Sequence, residues 1–316
     1  MGMRYEVERL RRPRRVPPLV LAYSIVLTAY TAYALLDTFV IPRSYASVSQ
    51  AEAREAVELA VTDSATSGET EGAATAEHFT SDATTELTEV QYLNTTVYVV
   101  DVYADDVTNL MAALANDTYG KNVTATTSAM AEEKGATVAI NGDYYGARNA
   151  GYVVRNGVLY RDTAAAQDQE DLVIYRDGSF EVICEGDVSA QDLVDAGAWQ
   201  VFSFGPGLVS DGTITVGEDD EVDRAMASNP RTAIGKVSDG HYVLVVADGR
   251  SDESEGLTLL ELAEFMAEEL GASCAYNLDG GGSSTLYYEG EIANNPASMG
   301  RRHGGERSVS DIVYVV

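Results

Sequence analysis

The chain has 316 residues, 45% of them hydrophobic, and a net charge of −29 from 50 acidic and 21 basic residues. So acidic a surface repels phosphate backbones, which excludes a nucleic-acid partner. His78, His241 and His303, with Cys184 and Cys274 far apart, match no transition-metal spacing, so no metal ligand is assigned; the cysteines are either one disulfide or two buried thiols, the thiols preferred because they pack as small apolar groups.

Residues 1–16 are an Arg-rich tail, with six arginines against Glu6 and Glu8. Residues 17–42 follow, and Leu19 to Leu36 carries no charge. That run is long for the core of a cleaved signal and suits a bilayer span, so 17–42 is read as an uncleaved transmembrane signal anchor. Arginines stay on the inner side, which predicts a single-pass membrane protein with a cytoplasmic N terminus and an extracytoplasmic remainder. Residues 43–90 are rich in Ala, Ser, Thr, Glu and Asp and poor in aromatic and β-branched aliphatic side chains. They read as a disordered spacer with a short helix at 51–60.

From Gln91 the texture changes, and 91–316 is the size of one domain. "TTVYVVDVY" (95–103) predicts a strand, and "SAMAEEKGATVAIN" predicts a helix, a stop at Gly135 and a strand ending at Asn141. Asn156-Gly157, Asp177-Gly178 and Asp239-Gly240 each split an alternating segment and predict hairpins. "GLTLLELAEFMAEEL" (256–270) has helical spacing and stops at Gly271; "SCAYNL" and "SVSDIVYVV" read as strands. Hairpins mixed with isolated helices give an α+β fold: a single domain of mixed β-sheets with a few packed helices, preceded by one transmembrane helix.

No serine-nucleophile elbow, phosphate loop or dinucleotide fingerprint is present. Instead three apolar strands end in similar clusters: Asn141, Gly142 and Asp143; Asp248, Gly249 and Arg250; and Asp279, Gly280, Gly281 and Gly282 with Ser283 and Ser284. One such cluster is ordinarily a turn, but three at strand ends predict a shared site where Asp143, Asp248 and Asp279 converge within roughly 10 Å and divide acid and base roles. Arg231, followed by Thr232, opens one strand and Arg307 precedes another. Arginines held there in so acidic a chain bind an anion or pair with the aspartates.

The segments "AINGDYY", "FGPGLVSDG", "NPRTAIG", "VADGRSDESEGLTLLELAEFM", "AYNLDGGGSSTLYYEG" and "ERSVSD" together resemble the phosphodiester glycosidase domain family over about 139–311. The resemblance implies hydrolysis of the bond between a sugar's anomeric carbon and a phosphodiester oxygen, with Asp143, Asp248 and Asp279 catalytic. It implies substrate contacts from Asn141, Gly142, Arg231, Thr232, Gly280, Gly281, Gly282, Ser283, Ser284 and Arg307, with backbone N–H groups of the glycine loop on the phosphate. The partner is then a sugar-phosphate or polysaccharide, without a cofactor. Three positions depart from the family: Tyr144 and Tyr145 stand in place of phenylalanines, and Glu255 in place of a basic residue. A non-catalytic polysaccharide-binding module in exopolysaccharide assembly or export is the alternative, and structural calcium on the acidic loops a third reading.

Overall fold

A computed structural model describes residues 18–47, 83–217, 228–297 and 305–316. The expected tail at 1–16 and helix at 51–60 lie outside the described residues. Residues 1–42 and 43–316 form two separate units. In the first, the α-helix Pro18–Phe39 runs for 22 residues, and 20 of them, Leu19–Thr38, are long and apolar enough to cross a membrane. Leu19, Leu21, Val26 and Tyr30 are all exposed. A helix apolar on every side has no polar face to offer water, which suits lipid.

The second unit is built from hairpins wherever the turn dipeptides permit. Asn156 and Gly157 both take positive φ, at 53° and 76°, and join Val153–Arg155 to Val158–Arg161. The Asp177-Gly178 and Asp239-Gly240 turns likewise join Glu170–Tyr175 to Phe180–Cys184 and Arg231–Ser238 to His241–Ala247. The longest sheet has seven strands. Across it lie Thr213–Ile214, Gly207–Ser210, Cys274–Asn277, Arg231–Ser238, His241–Ala247, Thr95–Tyr103 and Thr84–Tyr92. A five-stranded sheet orders Glu291–Ile292, Leu286–Tyr288, Val138–Asn141, Asp311–Val315 and Met111–Leu114. A second five-stranded sheet centres on Ala198–Phe202.

Alternation along the strands builds the core. Tyr242, Leu244 and Val246 face a cluster shared with Val138, Ile140 and Val313 of one five-stranded sheet and Leu172, Ile174 and Phe202 of the other. Val243, Val245 and Ala247 point the other way, onto Leu259, Leu262, Phe265 and Met266 of the helical segment. With both faces covered, the strand reads as one apolar run. The helix Leu259–Glu264 starts on a capping box between Thr258 and Glu261, and Thr127–Lys134 stops at Gly135 in the left-handed region.

Both ends of the expected spacer are strands, which corrects its 43–90 bounds. Arg43–Ser47 pairs with Thr118–Lys121, and Thr84–Tyr92 pairs residue for residue with Thr95–Tyr103 at the edge of the long sheet. Its few apolar side chains divide between the two faces: Leu87 packs on the cluster around Leu244, and Val90 and Tyr92 pack on the opposite one around Val245, while most of the others meet water. A composition average hides so sparse a pattern. Cys184 and Cys274 are both free thiols.

Candidate active site

Three strand ends meet around one carboxamide. Asn141, fully buried, ends Val138–Asn141 and donates from Nδ2 to the Asp279 carbonyl at 2.6 Å. Its Oδ1 accepts from the Thr232 hydroxyl at 2.9 Å and the Thr285 N–H at 3.2 Å. Asn141 and Thr232 therefore hold the loops in place from behind and do not line the cavity they form.

That cavity has a volume of about 270 Å³. Arg231, Arg250 and Arg307 line it together with Asp279, Gly280, Gly281 and Gly282. Phe204, Asn229 and Asn277 complete the wall. Three guanidinium groups and one carboxylate in a chain of net charge −29 make a local positive field, and planar guanidinium forks suit an oxyanion.

Each arginine is positioned by the protein. Arg231 opens the strand Arg231–Ser238 and donates from Nε to the Leu257 carbonyl at 2.8 Å. Arg250, at a φ of 62°, donates to Asn229 Oδ1 from Nη2 at 2.9 Å and Nε at 3.2 Å. Arg307 reaches Asp279 Oδ2 at 2.8 Å and the Ser283 hydroxyl at 2.8 Å. Ser283 itself donates to Asp279 Oδ2 at 2.5 Å. Burial raises the Asp279 carboxyl above its ordinary value, against the pull of Arg307, the Ser283 hydroxyl and Arg148.

The glycines answer first to the protein's own backbone, and the Gly281 N–H, expected to face a phosphate, is taken by a protein carbonyl. A Cβ on Gly280 would lie 2.9 Å from the Pro230 carbonyl oxygen; on Gly281, at a φ of 64°, it would lie 2.9 Å from Arg250 Nη2. The Gly281 N–H donates to Pro230 at 2.7 Å. The triplet thus lets the segment before Arg231 and the Arg250 side chain approach, and so sets the arginines.

Of the three aspartates, only Asp279 lines the cavity. Asp143 is buried with its carboxylate on Arg155 Nη2 at 2.8 Å, the Tyr145 N–H at 2.9 Å and the Ser203 N–H at 3.0 Å. Asp248 is buried against the Asn294 side chain and the Asn295 N–H, each at 3.0 Å. These two acceptors are filled by protein donors, as strand-end turns often are, so the structure does not bring the three carboxylates onto one cavity wall. Gly142 lies against the Asp311 carboxylate, and the Ser284 carbonyl accepts from Asn294; both stand behind the loops. Among the described residues no three His, Cys, Asp or Glu side chains are grouped to hold a metal ion.

Sequence reasoning missed Phe204, Asn229 and Asn277, and it named Arg250 in a strand-end cluster without giving it a role. Arg250 had a usable signal, since it is a third strand-flanking arginine in a chain poor in basic residues. Glu306 was missed as well. Its carboxylate accepts from the Ser128 N–H at 2.9 Å and from the Ser128 hydroxyl, at the start of the helix Thr127–Lys134. A carboxylate there meets free N–H groups and the positive end of the helix dipole, and it tethers the residue next to Arg307. Glu306→Gln should therefore cost about 1 kcal/mol of stability, read by scanning calorimetry of the full chain in detergent. An unchanged transition would contradict this tether.

Comparison with known proteins points the same way. A family model described as phosphodiester glycosidase matches residues 134–316. The SPbeta prophage-derived uncharacterized protein YomE of Bacillus subtilis (strain 168) is 35% identical over 203 residues, covering 62% of this chain and 30% of that protein. The N-acetylglucosamine-1-phosphodiester alpha-N-acetylglucosaminidase of Mus musculus is 30% identical over 190 residues, covering 55% of this chain and 36% of that protein. The chain thus spans about a third of the length of these curated relatives. Among solved structures, the catalytic domain of the zebrafish enzyme of that name, auto-inhibited by its pro-peptide, superposes with a TM-score of 0.58 at 20% identity. The match covers 75% of this chain and 85% of that one and shows a shared fold.

Proposed function

Because the chain belongs to the phosphodiester glycosidase family, we propose that it is a membrane-anchored, extracytoplasmic hydrolase of sugar-1-phosphodiesters in cell-surface glycans. The observation that carries this reading is one carboxylate, Asp279, set among Arg231, Arg250 and Arg307 in a single cavity. Guanidinium groups hold the phosphodiester oxygens and gain strength as charge develops on the departing phosphate. The bond between the anomeric carbon and the bridging oxygen breaks with its electron pair going to oxygen. Water then adds to the carbon and gives up a proton to solvent or to the departed phosphate, leaving free sugar and a phosphomonoester. That leaving group has a second pKa of about 6 and departs without a strong proton donor. The ionised Asp279 carboxylate stabilises the positive charge at the anomeric carbon.

The test uses the full chain in detergent with the methyl phosphodiesters of glucose-1-phosphate and N-acetylglucosamine-1-phosphate. The expected products are free sugar and methyl phosphate. Arg250→Gln should raise KM at least about tenfold, the scale of one charge-assisted contact of about 1.5–3 kcal/mol. A wild-type chain that binds these probes and never releases sugar establishes the binding module instead.

A further inference from the structure

The loop that carries Arg250 into the cavity does not hold itself. Residues 248–256 leave the strand His241–Ala247, pass through Arg250 and return at Gly256 against Asn229. Within the loop the Arg250 N–H donates to the Glu255 carbonyl at 3.3 Å, and the Ser251 N–H to the Ser254 carbonyl at 3.0 Å. At a φ of 62° Arg250 has a left-handed backbone, which a non-glycine residue keeps only where its surroundings fix it.

Those surroundings come from the turn between the edge strands Thr84–Tyr92 and Thr95–Tyr103. The Asp248 N–H donates to the Thr96 carbonyl at 3.0 Å, and the Glu255 N–H to the Asn94 carbonyl at 2.9 Å. The Thr96 N–H donates in turn to the Ser254 hydroxyl at 3.1 Å. Thr95 is fully buried, and its hydroxyl both donates to the Gly256 carbonyl and accepts from the Gly256 N–H, each at 2.9 Å. A hydroxyl fills both roles at one atom; a valine of the same shape would leave both backbone groups of Gly256 unpaired.

Gly256 passes the constraint on to the guanidinium. A Cβ there would lie 2.4 Å from the Asn229 carbonyl carbon, so the two backbones are in close contact. The Leu257 N–H donates to the Asn229 carbonyl at 3.0 Å, and the Asn229 Oδ1 accepts from Arg250 Nη2 at 2.9 Å. Thr95, Gly256, Asn229 and Arg250 thus form one chain of contacts that ends at the cavity wall. We propose that Thr95 is a positioning residue for the reaction: its hydroxyl ties the turn at 94–96 to Gly256 and so keeps Arg250 aimed into the cavity. This rests on the hydrolase reading above, in which Arg250 holds the phosphodiester. It extends the site into a hairpin that lies ahead of residues 134–316, the part that the family model matches.

The test is a double-mutant cycle on the full chain in detergent, with the methyl phosphodiesters of glucose-1-phosphate and N-acetylglucosamine-1-phosphate as probes. Thr95→Val should raise KM at least about fivefold, in the direction of Arg250→Gln, with a smaller change in kcat. Thr95→Ser keeps the hydroxyl and should restore the wild-type KM. Added to Arg250→Gln, Thr95→Val should change KM by less than about twofold, because the group it positions is already gone. Ser254→Ala removes the acceptor of the Thr96 N–H from the loop side and takes the place of Thr95→Val if that variant does not fold. Its effect on KM should vanish in Arg250→Gln in the same way. Single effects that multiply in the double variant overturn the proposal, since a merely structural role is indifferent to Arg250. A wild-type KM in Thr95→Val beside a raised one in Arg250→Gln overturns it too, and both results leave the hydrolase reading standing. An unchanged KM in Arg250→Gln removes that arginine from the phosphate and the proposal with it. Where the wild-type chain binds the probes but releases no sugar, the hydrolase reading fails. The cycle is then read on the affinities, which should show the same non-additivity.

Discussion

Asp279→Asn should lower kcat by roughly 1,000-fold with KM changed only a few-fold, the scale seen when one preorganised charge-stabilising group is removed. The substitution keeps the size of the side chain and leaves an acceptor for Arg307 and Ser283, which hold Asp279 Oδ2 at 2.8 and 2.5 Å. It removes the charge, which acts in the transition state far more than on bound substrate. The pH profile makes the result sharper. Burial raises the Asp279 carboxyl, and its ionised form is the active one, so kcat/KM should rise with pH through a value above the ordinary carboxylate range. That acid limb should vanish in Asp279→Asn. Turnover within tenfold of wild type in the variant would remove Asp279 from the chemistry.

Stability should fall as the pH rises from about 5 to about 8, and Asp171→Asn should remove a large part of the slope. Asp171 is fully buried in the strand Glu170–Tyr175, beside the Glu185 carboxylate and the Ser203 hydroxyl. Burial, and secondarily the Glu185 carboxylate, raises it to about 10. Glu185 is anchored by the Tyr152 N–H at 2.8 Å and the Ser203 hydroxyl at 2.9 Å. Asp311 is raised to about 8, chiefly by burial and further by Asp143, while Arg155 pulls the other way. Arg155 touches both carboxylates at 2.8 Å, and one guanidinium does not neutralise two buried charges. The folded chain therefore keeps protons that the unfolded chain releases near pH 4. Between that pH and the folded values each group contributes a loss of up to about 1.4 kcal/mol per pH unit; below pH 4 both states are protonated and the slope ends. Urea unfolding of wild type and Asp171→Asn at both pH values measures it. Equal stability at pH 5 and pH 8 in the wild-type chain, or an unaltered slope in the variant, would contradict the buried acid.

Much of the framework is legible in the residues themselves. The membrane-length helix follows from an uncharged run that no neighbouring polar face interrupts. The hairpins follow from Asn-Gly and Asp-Gly pairs that tolerate positive φ, and the family from six segments in order. Local chemistry sets these features, so local sequence shows them. Arg231, Arg307 and Asp279 were also readable, because charged side chains beside glycines at strand ends stand out in an acidic chain.

Which strand-end aspartate faces the cavity was not readable, and the reason is physical. Asp143, Asp248 and Asp279 have similar neighbours in sequence, but their partners come from far along the chain: Arg155 and Ser203 take up the first, Asn294 and Asn295 the second. Only Asp279, sharing Ser283 and Arg307, stays on the cavity wall. The glycine triplet announced a close approach without naming what approaches; the fold supplies Pro230 and Arg250. The strand Thr84–Tyr92 was hidden for a similar reason, since its order comes from pairing with Thr95–Tyr103 and not from its own apolar content. The sequence by itself determined the membrane-length apolar helix, the hairpin framework and the family. The tertiary structure decided which charges stay available to a ligand, because long-range hydrogen bonding selects the side chains that are consumed inside the fold.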